Sequence, residues 1–490
     1  MPATEAKRRR PPRPGSAGQR GQPAPANRRR RQPGWRRFGL RLRTAASMIV
    51  RTPAPPTRRA DVVAPDSLAR PQAAAQAAQA ATPAPARALL PSLALVMFAV
   101  VANYAALLAV LLPNHVEAID PDRKVTNLAI VTSVSFGFTI LAQPLVGALS
   151  DRTRSRLGRR APWLLGGAVV AAGFLLGLGG LGSVAWICVF WVVIQFALNG
   201  TDVAAAATLA DRVAPARRGR ASAVLAGGGM AGAAAGTAFA GPLAVDHRPV
   251  AYTVLGLAVV AAAAVFVLVD RPQPTQQGSG RTELLRGFWR RPREHADFLR
   301  VFGSRLLFVL GYQLILTYQL YILTDYVGLG RGDANRLIGL LTVLGFATTV
   351  VGIAVGGWWS DRSGRRTVFL VAAAAILGVA LAVPLASATT AAVVVFAAVQ
   401  GLAGGLYLAC GNALAIDVLP DREAAAGKDL GLFNVAVNVP QTIAPPVAAA
   451  VIHLFDGYRA LFAVALVSVA ASAVLVTRVR HTEHRGGEVT

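Results

Sequence analysis

Residues 147–162 read GALSDRTRSRLGRRAP. An apolar run starting near Asn127 precedes this stretch, and another follows from Trp163. Five arginines and one aspartate stand between them. So dense a charge block is costly inside hydrocarbon, so it has to sit at the edge of a bilayer, between two crossing segments. A shortened copy, GGWWSDRSGRR, occupies 356–366 and again separates two apolar runs.

The rest of the composition agrees. Of 490 residues, 54% are apolar and 15% charged, against roughly 25% charged in soluble domains. Cys188 and Cys410 are far apart inside apolar runs, with no CxxC or His/Cys cluster, which argues against a disulfide framework or a zinc site. The net charge of +26 resembles a nucleic-acid signal, but its distribution does not. Residues 1–87 hold nineteen Lys/Arg against three acids, and most of the remainder sits in short loops. No nucleic-acid partner is expected.

Residues 1–87 are rich in Arg, Pro, Ala and Gln, a composition that buries too little apolar surface to fold. They read as a disordered basic cytoplasmic tail, or alternatively as an extension ahead of a start near Met48. From 88 onward, twelve runs reach the roughly 20 apolar residues that a crossing helix needs. The expected spans are 88–112, 127–149, 162–182, 184–209, 220–245, 249–269, 297–324, 336–359, 367–387, 390–416, 429–453 and 456–478. The loops after even-numbered spans carry about twenty Lys/Arg against about six after odd-numbered ones, which places the even loops and both termini in the cytoplasm. The expected organisation is a tail (1–87), a six-helix bundle (88–269), a cytoplasmic linker (270–296), a second six-helix bundle (297–478) and a C-terminal tail (479–490).

The two halves repeat at a steady offset. Tyr104 matches Tyr312, 208 residues on, and Asp151 matches Asp361, 210 residues on. Two six-helix halves in parallel orientation are the architecture of one large transporter class.

The repeated G-x-x-S-D-R-x-G-R-R loop resembles the signature loop of the major facilitator superfamily. The longer first copy, QPLVGALSDRTRSRLGRRAPW (143–163), is similar to the loop of the glycoside–pentoside–hexuronide cation symporters and the sucrose–proton symporters. TDYVG (324–328) and GLFNVAVNVPQ (431–441) add to that likeness. The sucrose branch tends to carry an acidic residue mid-helix 4 and an arginine further in; here those positions are Gln195 and Ala206, and the carboxylate stands at Asp202. The resemblance implies an all-α polytopic membrane protein of twelve helices in two pseudo-symmetric bundles, moving a solute by alternating access. It implies that Asp151 sits against the positive end of helix 11 near Gly427, with Asp361 making the mirrored contact near Gly219. The gate loops would comprise Gly147, Asp151, Arg152, Arg156, Gly158, Arg159 and Arg160 in one half. Gly357, Asp361, Arg362, Gly364, Arg365 and Arg366 would serve the other. A topology signal alone explains the arginines but not the repeated Ser-Asp-Arg.

Polar residues inside the spans are the candidate pathway. Gln195, Asn199 and Asp202 fall at i, i+4, i+7 on one face of helix 4. They form either a solute and proton site or an interhelical hydrogen-bond cluster. Arg305 lies at a depth like that of Asp202, so an ion pair between them is expected; the alternative is an Arg305 that snorkels to the headgroups. In helix 7, Tyr312, Gln313 and Thr317 suit a polar organic solute, and Tyr104 is placed to face Tyr312 across a central cavity. Tyr321 and Tyr326 suit an interfacial position. In helix 11, Asn434, Asn438 and Gln441 repeat the i, i+4, i+7 spacing, and Pro440, Pro445 and Pro446 predict a broken helix. The glycine-rich LAGGGMAGAAAG stretch of helix 5 predicts close helix packing. No Walker loop and no HExxH occur, so no enzyme, cofactor or metal is expected. The expected partners are a small polar solute, protons and the anionic inner leaflet, with the chain acting as a monomer in the plasma membrane. The leading function is cation-coupled uptake of a sugar or glycoside. The alternatives are a proton-antiporting exporter and, from another class, a membrane sensor.

Overall fold

The computed structural model describes residues 88–269, 296–363, 365–417 and 426–479. The basic tail expected over 1–87 lies outside them. So do all but the last residue of the expected linker and all but the first of the expected C-terminal tail. Among the described residues, twelve helices are long and apolar enough to cross a bilayer. They are α1 (Leu89–Ile119), α2 (Lys124–Arg152), α3 (Ala161–Leu178), α4 (Val184–Arg212), α5 (Pro215–Leu243) and α6 (Arg248–Val269) in the first half. In the second they are α7 (Ala296–Thr317), α8 (Arg331–Ser363), α9 (Arg366–Ala386), α10 (Thr390–Asp417), α11 (Ala426–Leu454) and α12 (Arg459–Thr477). A helix satisfies its own backbone polar groups, which lipid cannot do, and this drives the all-helical solution.

Several helices outrun their apolar cores. At 1.5 Å per residue, the 29 residues of α2 and of α4 span ~43 Å, against ~30 Å of hydrocarbon. α1 continues through the polar LPNHVEAI to Ile119, by way of a π-helical turn at Leu107–Leu111. Beyond α7 comes a short helix at Gln319–Tyr321 and a second π turn at Ile322–Tyr326. The break expected in α11 does not occur: the helix runs from Ala426 to Leu454 through Pro440, Pro445 and Pro446. α2 and α7 pack against it, and the Tyr318 hydroxyl donates to the Pro445 carbonyl at 3.1 Å.

The packing pattern of each half is the other's, shifted by six helices. α1 packs on α5 as α7 does on α11; α2 packs on α4 as α8 does on α10; α3 packs on α4 and α6 as α9 does on α10 and α12. Between the halves, α2 meets α11 and α8 meets α5, again a mirrored pair. Glycine seams set the closest approaches. Gly228, Gly232 and Gly236 place one bare face of α5 directly on the α1 backbone; a Cβ at Gly228 would lie 2.6 Å from the Ala94 carbonyl oxygen, and one at Gly232 would overlap that of Phe98. In the second half, Gly401 and Gly405 of α10 press the same way onto Gly345 and Thr349 of α8. Such contacts bring dispersion attraction where lipid offers no hydrophobic drive.

Candidate functional site

A cavity of about 580 Å³ lies between the two halves. Tyr104 stands fifteen residues from either end of α1 and lines it at mid-depth. Tyr312, Gln313 and Thr317 of α7 line the same cavity, so the structure brings these four expected residues together. Thr132 and Phe136 of α2, Met230 and Thr237 of α5, Thr342, Phe346 and Thr349 of α8 and Gln400 of α10 complete much of the wall.

The α4 stripe sits elsewhere. Gln195 and Asn199 are buried, and the Asn199 amide donates to the Gln195 backbone carbonyl at 2.8 Å. Asn199 and Asn438 both reach Gln143 of α2, each at 3.4 Å, so a weak polar bridge runs from α4 through α2 to α11. Gln143 was not among the residues singled out, because it precedes the basic loop and reads as part of it. Gln441 is half-buried on α11. Asp202 is half-buried, ten residues from the end of α4, or ~15 Å along the axis. No hydrogen bond or ion pair to it occurs among the described residues, and its carboxylate acts electrostatically on the Tyr104 hydroxyl. The expected Asp202–Arg305 ion pair does not form: Arg305 is instead an electrostatic neighbour of Tyr407 on α10. Equal depth brought the two residues to one level but not to facing sides of their helices. The Asp361 and Asn434 side chains and Gly364 lie outside the described residues.

At the end bearing the loops after odd-numbered helices, the halves are locked. Lys124 of α2 contacts Glu117 and Asp325, each at 2.8 Å, and lies over the Tyr321 ring at 4.9 Å. Arg331 of α8 reaches the same Glu117 at 3.1 Å. Asn114 and Asn335 pair at 2.8 Å across the halves, and Thr126 bonds His453 at 2.9 Å. Tyr321 is fully buried and donates to the Pro113 carbonyl of the other half, so it lies between the halves rather than at the membrane surface. Tyr458, in the loop between α11 and α12, donates to Asp325 at 2.8 Å. Burial, and then the Asp325 charge, push its hydroxyl well above the ordinary range, so it remains a donor. Gly241 and Gly339 let α5 and α8 touch: a Cβ at Gly241 would lie 2.8 Å from the Asn335 carbonyl oxygen.

The opposite, basic end is arranged differently. Asp151 pairs with Arg160 of its own half at 2.7 Å, and Arg160 also donates to Ser150. Arg159 and Arg160 both bind Asp211 at the end of α4, at 2.6 and 3.1 Å. The loop thus staples α2, α3 and α4 together, with Gly158 supplying the positive φ of 90° its turn requires. Arg152, Arg156 and Arg365 are exposed, and Arg362 stacks on Trp358. Among the described residues, an added Cβ at Gly147, Gly219 or Gly357 would meet nothing within 4 Å.

Twelve crossing helices in two mirrored bundles about a central cavity define a multi-pass membrane transporter rather than an enzyme. The sequence pattern of the family described as MFS/sugar transport protein matches residues 124–455, and the chain belongs to that family. Among curated proteins it is similar to the Fujikurins efflux protein of Gibberella fujikuroi, 25% identical over 393 residues, covering 74% of this chain and 76% of the relative. It also resembles an uncharacterized symporter, sll1374, of Synechocystis sp., 57% identical over only 37 residues, 8% of this chain and 7% of the relative. Among solved structures, the nucleoside transporter NupG shares the fold, with a TM-score of 0.64 at 15% identity, covering 79% of this chain and 98% of that one.

Proposed function

We propose that this protein is a proton-coupled transporter that takes up a sugar, glycoside or similar small polar solute across the plasma membrane by alternating access. The carrying observation is a central cavity closed at one end by bonds across the halves, while among the described residues the Asp151, Arg159, Arg160 and Asp211 cluster at the other end stays within one half. With the basic loops on the cytoplasmic side, as the positive-inside rule requires, the locked end faces outward, which fits an inward-facing state. Rocking of the two halves then exposes the same cavity to either side.

Asp202 is the coupling candidate. A carboxylate facing lipid within the hydrocarbon costs about 3 kcal/mol when ionised, and Asp202 stands ~15 Å along the axis from the end of α4. With no ion-pair partner among the described residues, it gains from holding a proton. Tyr104 of the cavity wall lies within range of the charge that Asp202 carries when ionised.

Proton-antiporting export of a drug or metabolite is the second reading. It is favoured by the similarity to the Fujikurins efflux protein over three-quarters of the chain. One experiment separates the two. Purified protein in liposomes is given labelled sugars, aryl glycosides and amphiphilic drugs under imposed pH gradients of either sign. Uptake of a glycoside down an inward proton gradient, lost in Asp202→Asn, supports the symport reading. Drug accumulation driven by the opposite gradient sinks it. Coupling that survives intact in Asp202→Asn removes Asp202 from the account.

A further inference from the structure

We infer that an anionic glycerophospholipid of the inner leaflet docks on the second half at the basic end, with one acyl chain in a groove between α9 and α12 and its phosphate held by Arg365 and Arg478. Such a site serves the protein whatever its cargo and whichever way the cargo moves.

The groove encloses about 320 Å³ and shares no lining residue with the central cavity. Thr367, Val368 and Val371 of α9 form one wall. Val476 and Thr477 of α12, with Val479 just beyond its end, form the other. Val371 stands four residues after Thr367 and three after Val368, so the three share a face of α9. Thr367 is the second residue of α9 and Thr477 the last of α12. The lining therefore begins at the helix ends and reaches five residues into α9, or ~8 Å. That is the level at which headgroups give way to hydrocarbon in a bilayer that α9 and α12 cross. Val368 is 54% exposed and Thr477 is exposed, so the groove opens on the outer surface of the bundle. Its volume is at the lower end of the range for ligand pockets, about 300–1,000 Å³, which suits a length of one chain and not a whole lipid.

Charge selects the headgroup. Arg478 stands between the lining residues Thr477 and Val479, and Arg365 precedes Val368 by one turn. Both arginines are exposed, and neither forms an ion pair among the described residues. The groove itself is lined by valines and threonines, with no acid. Two cations beside an uncharged, mostly apolar groove complement a ligand with a negative head and a hydrocarbon tail. The inner leaflet supplies one: its anionic lipids attract basic side chains, and basic pockets between crossing helices on the cytoplasmic side take anionic headgroups. A zwitterionic lipid fills the groove as well but sets its own ammonium against the arginines. The end of the chain is a poor substitute, because RHTEHRGGEVT (480–490) carries one aliphatic side chain, Val489.

The test adds palmitoyl-oleoyl phosphatidylglycerol, phosphatidylcholine with the same chains, or glycerol phosphate to the purified full chain in a neutral detergent. The melting temperature is read against concentration. Phosphatidylglycerol should stabilise the protein saturably and well ahead of phosphatidylcholine. Glycerol phosphate should give no response, because it has no chain for the groove. Arg365→Gln and Arg478→Gln should each raise the half-saturating concentration of phosphatidylglycerol about fivefold, or ~1 kcal/mol for each arginine. Arg154→Gln and Arg217→Gln, at exposed arginines of the first half at the same end, should leave it unchanged, which separates a site from general attraction to a basic surface. Val368→Trp should raise it by filling the groove from an exposed position that the fold tolerates. Equal stabilisation by the two lipids, or a response to glycerol phosphate equal to that of phosphatidylglycerol, overturns the site. So does an unchanged half-saturation in both Arg365→Gln and Arg478→Gln, or an equal weakening by the first-half variants.

Discussion

The two ends of this molecule use the same kinds of residue to opposite effect. At the locked end, Gly241 and Gly339 bring backbones of different halves into contact, and Lys124, Asp325, Glu117 and Arg331 bond across the divide. At the basic end, a Cβ at Gly147, Gly219 or Gly357 would meet no described atom within 4 Å, and Asp151, Arg159, Arg160 and Asp211 bond within one half. Glycines without close contacts among the described residues and a charge cluster that closes on itself are hard to explain as packing of this state. They make sense as surfaces kept ready for the other state, in which the basic end shuts. Alternating access then amounts to exchanging one set of contacts for another of similar strength, since a two-state equilibrium moves only by differential stability.

That comparison can be broken at several points. The largest effect is expected from Lys124→Met. Removing one partner of a buried pair costs about 3–5 kcal/mol; here Glu117 keeps Arg331 and Asp325 keeps Tyr458, so the loss is nearer ~2 kcal/mol. The outward-open population should rise about thirtyfold, read as faster labelling of a cysteine placed at Gln313 by a membrane-impermeant reagent added from outside. Unchanged labelling would show that the lock is ornamental.

Next comes Gly147→Val. In this structure a Cβ at Gly147 meets no described atom within 4 Å, so the melting temperature should hold. Closing the basic end would crowd them, at ~1–3 kcal/mol, and transport should fall several-fold to a hundredfold. A variant that transports normally would exclude Gly147 from the shut interface. Asp151→Ala should act in the same direction and more weakly, because Asp151 is half exposed. Reduced transport with greater cytoplasmic accessibility is expected, and no change in either would end the proposed contact with α11. The smallest effect belongs to Gln143→Leu. Its two bonds are long, 3.4 Å each, and interhelical hydrogen bonds in membranes average ~0.6 kcal/mol. A shift of one or two degrees in melting temperature is expected; a collapse of the fold would mean that the bridge carries far more than its geometry suggests.

Much of the architecture was legible because lipid imposes it. Runs of about 20 apolar residues, the doubled Ser-Asp-Arg loop and the Tyr104–Tyr312 repeat are all local features. Tyr104, Tyr312, Gln313 and Thr317 were found because aromatic and amide groups stand out in an apolar helix. What stayed hidden depends on azimuth. Gln400 is a single amide in the apolar VVVFAAVQGLAGG, with no spacing to mark it, and a helix that is apolar all round does not declare which face turns inward. The same gap explains why Asp202 and Arg305 fail to meet. Glu117, Lys124, Asp325 and Arg331 read singly as loop-edge charges, and Lys124 and Asp325 meet although they stand 201 positions apart. Tyr321 looked interfacial for the same reason: its partner, Pro113, belongs to the other half.

The central claim is that the locked end must open for solute to cross. Asn114 and Asn335 bond side chain to side chain across that end, so the double variant Asn114→Cys/Asn335→Cys, with Cys188 and Cys410 replaced by Ser, places a reversible disulfide there. Transport by this variant in liposomes should cease on oxidation and return in full on reduction, with the cavity still reachable from the basic side throughout. Transport that continues while the disulfide is shown to be intact would contradict the account.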